Sequence, residues 1–106
     1  MRSVLCDRMG DKSIWTADII KIREFKKGGQ LIREYVLSNI FNEWFTVKLD
    51  HMIWRLGRDV PKIPLVYSRL GKNIHIKFIG KVIQYKKWDG IDYKIQLIKI
   101  LETEKL

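Results

Sequence analysis

Side chains able to do chemistry are sparse and poorly spaced for it. The two histidines, His51 and His75, stand far apart, and neither lies in a His-x-x-x-His type spacing, so a zinc site is not expected. The single cysteine, Cys6, has no assignable base nearby, which argues against a nucleophile. One thiol also excludes an internal disulfide and a cysteine-cluster metal site, and it is compatible with a reducing compartment. Asp50 and Asp59 flank a connector, and Asp89 and Asp92 flank a turn. Paired carboxylates can hold Mg²⁺ in a nuclease. These four occupy turn positions, where aspartate is favoured for local hydrogen bonding anyway. No Gly-rich phosphate cradle is present. The expectation is a non-enzyme without cofactor or metal.

What the chain does carry is aromatic residues interleaved with cations. A single-strand binder needs cations to track phosphates and aromatic faces on which bases stack. Tyr85, Lys86, Lys87 and Trp88 run into the Asp89-Gly90 turn, and Tyr93 and Lys94 return from it. Trp44 and Lys48 alternate with Phe45, Val47 and Leu49, so they fall on the opposite face of a strand. Lys77 and Lys81 punctuate an apolar strand, and Lys26 and Lys27 precede a Gly-Gly turn. Arg33 and Tyr35 share parity with Leu31 and Leu37, which leaves their face ambiguous. Plainer readings stay open beside these: Trp44 packed under the N-terminus or a partner, hairpin aromatics paired across strands, and Lys26 and Lys27 in a solvated turn. Phe25, Phe41 and Phe78 are assigned to the core, Trp15 to the core or to packing under the leader, and Trp54 to a core plug or a rim contact.

The charge points the same way. The chain has 106 residues with 21 Lys+Arg against 12 Asp+Glu, a net +9. That exceeds what solubility needs and favours an anionic partner. The cations are spread among apolar residues rather than gathered in a tail. No long amphipathic basic helix, membrane span or secretory signal is visible, so an intracellular protein (cytoplasmic, or nuclear or organellar in a eukaryote) without membrane association is expected.

The elements that must position these residues are strands. Alanine occurs once and isoleucine is abundant, which favours β structure. Residues 1–12 are read as an N-terminal leader, with disorder and a strand extension both open, and 13–106 as one domain. Ser13 to Lys26 and Gln30 to Asn39 predict a hairpin about Gly28-Gly29. Glu43 to Leu49 predicts the third strand, with Asn42 in the tight connection before it. Residues 50–71 break the pattern. Within them Pro64 suits the start of a short helix and Gly71 its end. Asn73 to Lys87 and Tyr93 to Leu101 predict two more strands, with Gly80 at a bulge or bend.

Five strands with a helix between the third and fourth is the order of the OB-fold Greek-key barrel. The segment Gly71-Lys72-Asn73-Ile74-His75-Ile76-Lys77-Phe78-Ile79-Gly80-Lys81-Val82 resembles the fourth strand of bacterial-type single-stranded DNA-binding proteins. Tyr85-Lys86-Lys87-Trp88-Asp89-Gly90, followed by Tyr93-Lys94-Ile95, is similar to that family's aromatic, basic hairpin and fifth strand. The family's acidic-tipped tail has no counterpart after Leu101, so recruitment through such a tail is not expected. The resemblance implies an all-β, five-stranded OB barrel. It implies largely sequence-independent binding of single-stranded nucleic acid, DNA before RNA, in replication, recombination or repair, or in protecting a viral or plasmid genome. It also implies a homo-oligomer or a subunit of a larger complex. Two other functions fit the same residues: an OB-fold scaffold subunit, and a factor that binds structured RNA.

Overall fold

The computed structural model describes residues 3–44 and 46–106. Phe45, expected on the core face of the third strand, lies outside the described residues, as do Met1 and Arg2. A 3-10 helix at Ser3–Arg8 precedes β1 (Lys12–Lys27), β2 (Gln30–Asn42), β3 (Val47–Arg55), α1 (Pro64–Arg69), β4 (Ile74–Lys87) and β5 (Gly90–Lys105). The strands form one antiparallel sheet in the order β3-β2-β1-β4-β5. The all-β class and the short helix between the third and fourth strands agree with the sequence expectation.

β1 organises the sheet. Ser13, Trp15, Ala17 and Ile19 point inward, while Ile14, Thr16 and Asp18 between them are half-buried on the other face. Its first half pairs with β4, from Lys12↔Lys81 to Ile19↔Ile74, and residues 16–27 pair with β2. A strand serving two neighbours in this way must bend. Two register shifts against β2 supply the bend, one at Asn39 of β2 and one at Ile20 of β1. Asn39 adopts a φ of +50°, and its Nδ2 donates to Asp18 Oδ2 at 3.0 Å. The inward positions of β2 therefore change parity, from Tyr35 and Leu37 to Ile40 and Asn42.

The hairpins follow local chemistry. Gly28 and Gly29 both have positive φ, as the tight turn between right-twisted strands requires. In the second hairpin Lys87 pairs with Gly90, so the loop is Trp88-Asp89 rather than Asp89-Gly90, and Trp88 stands at the tip. Gly80 coincides with a register shift between β4 and β5. A Cβ there would collide with Ile95 Cγ2 and press on Phe78 and Trp15. The glycine thus lets β4 pass close to these core side chains.

The third strand differs from the expectation. The chain turns at Glu43, Trp44 and Thr46, and β3 starts only at Val47. Asn42 closes the turn: its Oδ1 accepts from the Trp44 N–H at 2.9 Å, and its Nδ2 donates to the buried Ser13 Oγ at 2.7 Å. Thr46 is left at a φ of +54°. The strand then continues to Arg55, through residues that had been assigned to the connector, because Met52 and Trp54 extend the buried face.

One core fills the concave side of the sheet. Trp54 and Phe78 meet edge to face, with ring centroids 4.9 Å apart. Leu5 of the 3-10 helix is buried in the same cluster, and Gly10 and Asp11 exchange backbone hydrogen bonds with Val82. Trp15 and Phe78 occupy the core positions assigned to them, and Trp54 is a core plug. Phe25 is exposed on the far half of β1, where only β2 accompanies it, and Phe41 is half-buried on the outer face.

Among the described residues no ladder joins β3 to β5, and the sheet is not closed. The opening is bridged by other groups. Trp54 Nε1 donates to the Ile95 carbonyl at 2.7 Å. Leu97 N donates to the Asp59 carbonyl, and Gln96 Nε2 to the Arg58 carbonyl. Lys94 of β5 forms a buried ion pair with Asp59 of the β3–α1 connection.

Candidate nucleic-acid interface

Two of the four tryptophans are buried and two are exposed. Trp88, at the β4–β5 tip, is 97% exposed, and Trp44, in the β2–β3 turn, is 69% exposed. Trp44 is therefore accessible, but from a turn and not from a strand face. It borders a groove of roughly 200 Å³ that also takes in Ile14, Thr16, Phe41, Glu43 and Lys77. Strand register explains the convergence. Phe41 of β2 pairs with Thr16 of β1, which pairs with Lys77 of β4. On the other side of Phe41 stands its partner Lys48 of β3. One row across the outer face thus runs cation, aromatic, hydroxyl, cation. Lys81 pairs with Lys12 in the same ladder, four residues along β4, and extends the positive strip.

The β4–β5 arm carries the second group. Beyond Lys81 β4 no longer pairs with β1, and the β4–β5 hairpin runs on to its tip at Trp88. Lys86 and Lys87 are exposed beside Trp88. Lys87 Nζ lies 3.3 Å from the buried Asp92 carboxylate, which also accepts from Tyr85 OH at 3.5 Å. The Tyr85 ring stacks under Lys94 Nζ, 4.8 Å from its centroid. Lys94 itself is buried against Asp59. This corrects its placement among the phosphate-contacting cations, because its charge is spent on a carboxylate inside the fold. Tyr93 faces the 3-10 helix and donates to Cys6 Sγ at 3.3 Å. That hydrogen bond, with burial and nearby negative groups, raises its pKa.

The β1–β2 arm is the third group. Lys26 and Lys27 are exposed at its tip. Tyr35 is wholly buried, which corrects its placement as a stacking face. Arg33 lies over the Tyr35 ring, 5.5 Å from the centroid, on the inner side of the arm.

Sequence reasoning missed a cleft of roughly 200 Å³ at the open side of the sheet, where His51, Ile53 and Arg58 face Tyr85 and Lys94. Its members come from β3, the connector and the β4–β5 arm, and only the bridging of β3 to β5 brings them together. It also missed two polar clusters on the outer face. Glu34 is clamped by Arg23 at 2.7 Å and Arg55 at 3.1 Å across three adjacent strands. Asp18 meets His75 Nδ1 at 2.6 Å. Burial pushes the Asp18 carboxyl up, but hydrogen bonds from Asn39 and His75 and the His75 charge outweigh it and leave the pKa lowered.

Among the described residues no group of three His, Cys, Asp or Glu side chains is placed to hold a metal ion. None of the described helices is long and apolar enough to cross a membrane. No protein-family model, curated protein or solved structure matches the chain.

Proposed function

We propose that this protein binds single-stranded nucleic acid with little sequence preference, DNA before RNA, on an OB-type scaffold. The observation that carries the reading is the pair of exposed tryptophans, each set beside lysines: Trp44 with Lys77 across one groove, and Trp88 with Lys86 and Lys87 on one arm. Tryptophan is enriched at binding surfaces relative to the rest of a protein's surface. The strand order supports the scaffold, since β3-β2-β1-β4-β5 is the order that an OB barrel would show if opened between β3 and β5. The net charge of +9 supplies the field that draws in a polyanion.

Capture is electrostatic first. Lys26, Lys27, Lys48, Lys77, Lys81 and Lys86 contact phosphates and release counterions, and bases then stack on Trp44 and Trp88. A role in replication, recombination or repair follows from such binding.

The test is tryptophan fluorescence titrated with oligo-dT at two salt concentrations, with oligo-rU and duplex DNA beside it. Quenching by oligo-dT that weakens with salt and is absent with duplex is expected. Each stacked base contributes about 1–3 kcal/mol, so Trp44→Ala combined with Trp88→Ala should weaken binding by about thirtyfold or more. Unchanged affinity in the double variant overturns the reading.

A further inference from the structure

β3 leaves the edge of β2 early. Its Leu56 N–H donates to the Arg33 carbonyl, and the chain then turns away at Gly57, which sits at a φ of +87°. β2 runs on to Gln30 with only β1 beside it. The place that a longer β3 would fill is a groove of roughly 400 Å³ between the β1–β2 arm and the β3–α1 connection. At the rise and spacings of a sheet this is room for about two or three residues of an extended strand. Main-chain groups alternate sides along a strand. Arg33 offers its carbonyl to β3, so Leu31 turns its N–H and C=O toward the groove. The Leu31 side chain is exposed, and Leu56 and Tyr67 line the groove with it. The groove is positive on balance. Arg33 and Lys62 line it, Arg55 is held by Glu34, and Glu24 stands 3.7 Å from Arg33 Nε. Lys26 pairs with Leu31 at the outer end.

A second open edge of opposite charge lies elsewhere on the chain. β5 is an edge strand of the sheet. Up to Ile100 its outer side is taken, since Leu97 N–H donates to the Asp59 carbonyl and the Ile100 carbonyl accepts from Arg69. Past Ile100 that side is open among the described residues. Leu106 N–H donates back to the Asn73 carbonyl, so by alternation Thr103 and Lys105 direct their main-chain groups outward. Glu102 and Glu104 are exposed here, opposite Lys77 and His75 of β4. Among the described residues neither carboxylate holds an ion pair. Copies of a chain of net +9 repel one another, so they can meet only where patches of unlike sign face each other.

We propose that the groove receives residues 102–105 of β5 from a second copy of this chain, added as a strand to the open edge of β2. In parallel addition Leu31 N–H donates to the Thr103 carbonyl, and Lys105 N–H donates to the Leu31 carbonyl. Glu104 then lies level with Leu31, and its carboxylate falls on the groove side, beside Arg33 and facing Lys62. Main-chain bonds hold the added strand, and the opposed charges fix its register. Each copy gives its β5 end and offers its groove, so the contact is heterologous and copies join head to tail.

Sedimentation velocity on the full chain, with nucleic acid absent, keeps the test apart from single-strand binding. Association that grows with protein concentration and weakens with salt is expected. Glu104→Lys and Lys62→Glu each reverse one exposed charge, and each should weaken association about tenfold or more. An unchanged melting temperature shows that each variant is folded. Mixed in equal amounts, the two variants should associate again, because every groove then meets a β5 end of opposite sign. A second measurement adds the peptide Leu-Glu-Thr-Glu-Lys, the sequence of residues 101–105, to isotope-labelled protein followed by NMR. Shifts at residues 31–33 that disappear in Lys62→Glu are expected. The proposal is overturned if the wild type stays monomeric at millimolar concentration in low salt. Peptide binding to such a monomer identifies another protein's acidic strand as the occupant instead. It is equally overturned if either single variant associates as the wild type does, or if the mixture fails to recover association.

Discussion

Lys94 and Lys86 show why a residue's type does not state its task. Both were read from one aromatic, basic hairpin, yet Lys94 points inward to Asp59 and Lys86 outward to solvent. Lys94→Ala strips the buried Asp59 of its closest cation, leaving only Arg58 and the Arg55 N–H on that carboxylate. Breaking a buried pair from one side costs about 3–5 kcal/mol, and urea denaturation should read a loss of that order. Lys86→Ala should leave the denaturation midpoint in place and lower only nucleic-acid affinity. Asp18 makes a pH prediction. Its folded pKa is lowered from the ordinary value of 3.8, so its stabilisation is present above the unfolded value and is lost as pH falls through the folded one. Melting temperature followed from pH 7 to pH 2 should drop in that acid window. The Asp18→Asn variant should start lower at neutral pH and show a smaller acid drop.

At the scale of elements, bends matter as much as strands. Gly80 passes under three core side chains, so Gly80→Ala should destabilise by about 1–3 kcal/mol through overpacking, seen as an earlier melting transition. Gly28 has open space around it but a φ of +58°. Gly28→Ala should therefore cost less, about 1 kcal/mol, by conformation alone. The Gly-Gly hairpin was legible because a tight turn demands a residue type that sequence displays. The β2–β3 turn was not. Its cause is the Asn42 side chain reaching back to the Trp44 N–H and across to Ser13, a long-range contact that alternation in 44–49 masks. The parity change at Asn39 was hidden for the same reason, since it answers a bend in β1 and a hydrogen bond to Asp18.

For the molecule as a whole, the open β3/β5 side and the two hairpin arms set where a long polyanion can lie. Exposed cations on different arms act through a shared field, so their effects on salt dependence should add. Lys26→Gln and Lys86→Gln should each reduce the slope of log affinity against log salt by about 0.7 for a single-stranded ligand. Filter binding of oligo-dT across a salt series measures this. A double variant with the wild-type slope would mean that the arms do not touch the strand.

Residue types and their spacing suffice for the all-β class, the place of the short helix, the Gly28-Gly29 hairpin and the excess of positive charge. These depend on residue type, local periodicity and composition, which a linear chain displays. Which aromatics and cations are available depends on packing between distant elements. Trp44 and Trp88 are exposed while Trp15, Trp54 and Tyr35 are buried, and Lys94 is paired while Lys77 opens onto a groove. Those outcomes depend on register, bulges and the bridging of β3 to β5. Such features arise from contacts between residues far apart in the chain, as in Trp54 with Ile95, 41 positions away, whose energies no local pattern records.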